Sequence, residues 1–183
     1  MGFFSNLFKS EPSREEWSSI STSICEGLEG YIDIWYAVCV KALKDRGESI
    51  VNEEVTDEAD LAIRSFQLMM AMNYIGSNQY ISPENGADFA DLLYANYCGT
   101  KLNKVADFSY RYMEVAEDNG TQISRFCGDV ADSILGTKSV TGLLTLTPYV
   151  MTLGLGGNVL ISSAFGDSSK ANEMNLRLND YNK

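Results

Sequence analysis

From Ser139 to Gly166 the chain runs 28 residues without a charged side chain, although the 183-residue protein has a formal net charge of −11. Such a run must leave water somewhere, and it exceeds the ~20 residues that carry a helix across a bilayer. Its middle argues against one continuous span. Pro148, Gly154, Gly156, Gly157 and Asn158 fall there among several hydroxyls, and the run is less strongly apolar than a lone spanning helix. Thr147-Pro148 can open a helix, Gly154-Leu155-Gly156-Gly157 can turn the chain, and Asn158 can cap another. These residues favour two short buried helices joined at the glycines, with a single membrane span as the alternative.

The remaining residues set the environment of that run. A hydrophobic fraction of 45% over 183 residues suits one domain with a proper core. The 25 Asp and Glu against 14 Lys and Arg repel phosphate backbones, and no local cluster of bases offsets them, so nucleic acid is excluded as a partner. Anionic lipid is repelled too, so any membrane contact must come from apolar burial. Cys25, Cys39, Cys98 and Cys127 are widely spaced without a Cys-x-x-Cys pair. They read as buried structural thiols in a reducing cytosol, with neither disulfide nor metal needed for folding.

Helix signals punctuate most of the chain. Ser13 and Glu16 after Pro12 form a capping box, and Trp17, Ile20, Ile24, Leu28, Tyr31, Trp35, Val38 and Leu43 recur at helical steps as far as Arg46-Gly47. Gly27 and Gly30 inside this long helix call for a closely packed neighbour or a bend. Glu48, Glu53, Glu54, Asp57, Glu58 and Asp60 lack the spacing of a calcium loop and read as a solvated acidic face, with Thr56 capping a second helix. That helix is apolar almost all round from Leu61 to Ile75, the pattern of a surrounded element. Ser82-Pro83 opens a third helix that Gly99 closes, with Ala87, Ala90, Leu93, Tyr94 and Tyr97 inward and Glu84, Asp88 and Asp91 outward. Leu102, Val105, Ala106, Tyr112, Met113 and Ala116 mark a fourth, ending at Asn119-Gly120. Ile123, Phe126, Cys127, Val130 and Ile134 mark a fifth, between Thr121 and Gly136.

Chemistry is bounded by absences. Without histidine the chain cannot build a Ser-His-Asp or Cys-His centre, a His-ligated zinc site or a Glu-x-x-His di-iron site. Gly136-Thr137-Lys138-Ser139 has the wrong order for a phosphate loop, and the glycines near 156 lack a dinucleotide fingerprint. No catalytic residue, metal ligand or cofactor site is nominated. The N-terminus is neither a secretory signal nor a myristoylation motif, since Asn6 stands where Ser or Thr is required. Two features suggest contact with a partner. Phe3, Phe4, Leu7 and Phe8 form a small apolar face near the N-terminus, and Tyr110, Arg111 and Tyr112 can stack on another molecule.

The expectation is an all-α, single-domain bundle of about five to eight helices with a buried apolar C-terminal helical hairpin. An apolar segment spans 1–12, the bundle 13–169 including the uncharged stretch 139–166, and a polar tail 170–183 with one amphipathic helix on Met174, Leu178 and Tyr181. The function this supports is a non-catalytic, cytoplasmic interaction or scaffold protein, binding another protein or itself. The alternatives are a membrane-associated protein using the uncharged segment, and an apolar small-molecule binder or histidine-free enzyme walled by the Met-rich second helix.

Overall fold

A computed structural model describes residues 11–114 and 121–181. Pro12 and Ser13 lead into α1 (Arg14–Asp45), where the Ser13 backbone N–H donates to Glu16 Oε2 at 2.8 Å, closing the expected capping box. Thr56 Oγ1 accepts from Ala59 N at 3.1 Å and starts α2 (Asp57–Ser77). Pro83 occupies the first turn of α3 (Pro83–Cys98), and a 3-10 turn at Gly99–Lys101 passes into α4 (Leu102–Glu114). Thr121 caps α5 (Gln122–Leu135), which stops at Gly136 in the left-handed region. The uncharged stretch forms α6 (Val140–Leu146), a 3-10 turn at Thr147–Tyr149, and α7 (Val150–Ala164), before α8 (Ser168–Tyr181). All the regular elements among the described residues are helical.

The second helix is the hub. Every residue from Ala59 to Leu68 is buried, and α2 packs against α1, α3, α4, α5 and α7. Phe66 stacks on Phe126 at a centroid distance of 4.2 Å and meets Tyr112 edge-on, while Trp35 stacks on the other side of Phe126 at 5.5 Å. This aromatic column ties α1, α5, α2 and α4 together.

Surrounding a stretch of helix on all sides leaves any charge on it without water, and the buried stretch of α2 carries two, Asp60 and Arg64. Arg64 Nε donates to both carboxylate oxygens of Asp60 at 2.9 and 3.1 Å, Nη1 to the Tyr97 carbonyl at 3.2 Å and Nη2 to Glu29 Oε1 at 2.8 Å. Lys101 Nζ closes the cluster on Asp60 Oδ2 at 2.7 Å. Burial disfavours the guanidinium charge, but Glu29, Tyr97 and Asp60 outweigh it and hold Arg64 protonated. Asp60 therefore corrects the reading of the acidic run as wholly solvated, because this one acid turns inward to meet a base one turn along. Other corrections concern faces. Val38, Ala87, Leu102 and Ile123, each expected to pack inward, are exposed.

The uncharged segment does not fold as expected. Its break falls at Pro148, which has no N–H for the helical ladder, and α7 runs straight through Gly154, Gly156 and Gly157. The glycines are points of close approach, not a turn. A Cβ on Gly156 would lie 2.7 Å from the Tyr31 ring, and one on Gly27 would lie 2.9 Å from Leu160 on α7. Tyr31 Oη donates to the Thr152 carbonyl at 3.2 Å, and Trp35 Nε1 to that of Tyr149 at 2.9 Å, fixing α7 against α1. The hairpin turn lies instead at Gly166, with φ of 68°, and pairs α7 with the polar helix α8 through Ala171 and Met174. By length and composition Val140–Ala164 is apolar enough to cross a membrane, with mean hydropathy 1.3, yet half of that window is buried in the fold.

All four cysteines are buried and free. Burial pushes Cys25, Cys98 and Cys127 up to about 11 and Cys39 well above its ordinary value. Because these folded values lie above the ~8.5 of an exposed thiol, the neutral thiols support the fold fully below about pH 8.5. That contribution is lost as pH rises towards about 11. Ellman's reagent at pH 8 is expected to label no native thiol and all four in denaturant, with a melting temperature insensitive to reductant. Phe66→Ala should cost about 3–5 kcal/mol in chemical denaturation, through lost burial and a residual cavity. Glu84→Ala, on the exposed face of α3, should stay within about 0.5 kcal/mol.

Candidate functional site

The distinctive surface lies on α6. Ser139 Oγ accepts from Gly142 N at 2.9 Å, and the Ser139 backbone N–H donates to Asp132 Oδ1 at 3.2 Å, so α5 dictates where the short helix begins. Gly142 presses on α5 so closely that a Cβ would come within 3.0 Å of Ala131 and Leu135, and Leu146 is buried one turn later. That inner face leaves the outer one in water: Val140 is 76% and Leu144 65% exposed. They are four residues apart and so share one side of the helix. Thr141, Thr147 and Pro148 are exposed with them, making an uncharged ridge.

A groove lies on each flank. On the α1 side a groove of about 320 Å³ runs between Leu144 and Ala42, bordered by Asp45, Arg46 and Tyr149. On the α5 side a wider one, of about 590 Å³, is walled by Val140 and Leu143 and rimmed by Arg111, Arg125 and Lys138, with Asp129 and Asp132 in its lining. Arg111 Nη2 stands 3.6 Å from Asp129 Oδ1, and Tyr112 Oη donates to Asp129 Oδ2 at 3.1 Å. Burial raises the Asp129 carboxyl above its usual range, while Arg111, Tyr112 and Arg125 pull in the opposite direction. Burial and the neighbouring Asp129 likewise raise the Tyr112 phenol. Arg125 and Lys138 are exposed and form no ion pair among the described residues.

The structure separates the three neighbours singled out in the sequence. Tyr110 is 64% exposed and points to water, Arg111 lies on the groove rim, and Tyr112 is fully buried in the aromatic column. Successive helical residues are 100° apart, so these three cannot form one stacking surface. Phe3, Phe4, Leu7 and Phe8 lie outside the described residues. Sequence reasoning passed over Arg125 and the exposed pair Val140 and Leu144, and weighed Lys138 only as part of a phosphate loop. The spacing of that pair was visible, but the absence of charge assigned both residues to the interior.

The described residues contain no group of three or more Cys, Asp or Glu arranged to hold a metal. The cavity beside Met70, lined by Leu28, Gln67, Leu153 and Asn158, measures about 10 Å³, room for at most one water. At that place the Met-rich helix fills the core. No protein-family model, curated protein or solved structure matches the chain. The fold and site together define a helical bundle with an exposed uncharged ridge on α6.

The separation of Tyr110 from Tyr112 has a direct test. Tyr112→Ala should cost about 3–5 kcal/mol in denaturant unfolding, because an aromatic side chain leaves a packed core and Asp129 loses its donor. Tyr110→Ala should change stability by less than about 0.5 kcal/mol.

Proposed function

We propose that this protein is a non-catalytic helical interaction protein that engages a protein partner through the α6 ridge. The observation that carries this reading is the exposure of Val140 and Leu144 on a rigidly seated helix beside an otherwise filled core. Large aliphatic side chains gain by leaving water at about 25 cal/mol per Å², and an apolar centre with a polar rim is the anatomy of a protein contact. Arg111, Arg125 and Lys138 supply such a rim on one side, and Asp45 and Arg46 on the other. The overall acidity of the chain and the burial of α7 weigh against a bilayer as the partner.

A membrane-associated function is the second reading, favoured by the 25-residue length and apolar composition of Val140–Ala164. Affinity recovery of the tagged full chain from its native cells separates the two. Under the leading reading a protein is recovered with the wild type and lost with Val140→Asp/Leu144→Asp, while the variant's helicity and melting are retained. Recovery of lipid alone, or resistance of the wild type to carbonate extraction, would place the membrane reading first.

A further inference from the structure

We draw no further inference here: the strongest candidate, the surface patch of exposed aliphatic side chains at Ile34 and Val38 on α1 and Val140 and Leu144 on α6, is interrupted by the buried Ala42 and bordered by a groove that mixes Arg125 and Lys138 with Asp129 and Asp132, so nothing in the structure shows what covers it.

Discussion

The enclosure of α2 is the constraint from which most of this structure follows. Packed against five other helices, α2 is buried on every side from Ala59 to Leu68, so its Arg64 must find its partners inside the protein. It does so through Asp60 on its own helix, Glu29 on α1 and the Tyr97 carbonyl on α3. A buried ion pair of this kind gives weak net stabilisation, because desolvation cancels most of the attraction. What it supplies is a requirement on geometry. The guanidinium is satisfied only when α1 and α3 stand at the right height against α2, whereas apolar contacts alone tolerate a shift of register.

The aromatic column, joined through Phe66 two residues beyond Arg64 and so on the other side of the helix, sets α2 in a different way. Phe66, Phe126, Trp35 and Tyr112 stack face to face or meet edge-on, arrangements that gain energy only at particular separations. The Tyr112 hydroxyl emerges from this column to hold Asp129, a residue lining the groove beside α6. The groove is thus built directly on the aromatic core. A surface so supported pays little ordering entropy when a partner arrives.

Helix boundaries were legible in the sequence wherever a cap had a local cause. Ser13 with Glu16, Thr56, Ser82-Pro83, Thr121 and Gly136 act within one turn of themselves and need no distant residue to do so. Faces were less legible. Val38 fits the apolar periodicity of α1 as well as Trp35 does, and only the position of α7 decides that one is buried and the other is not. The pairing of Asp60 with Arg64 was written at a four-residue spacing, but the acids around Asp60 masked it. The glycines at 154, 156 and 157 read as a turn because glycine serves both turns and close packing. Which one applies depends on whether a ring such as Tyr31 occupies the space its missing side chain leaves.

The same ambiguity runs through the whole uncharged segment. Its two helices have similar composition and opposite surroundings. α7 is covered by α1, α2 and α8, while α6, only seven residues long, is pressed against α5 and the end of α1 and leaves Val140 and Leu144 exposed among the described residues. Pro148 makes the difference possible. It interrupts the helical ladder with a 3-10 turn, and on either side of it the two helices pack against different neighbours, α7 on α1 and α2 and α6 mainly on α5. Absence of charge therefore served the core in one half of the segment and left an apolar surface in the other, a division set by the proline and the neighbouring helices and invisible to hydropathy.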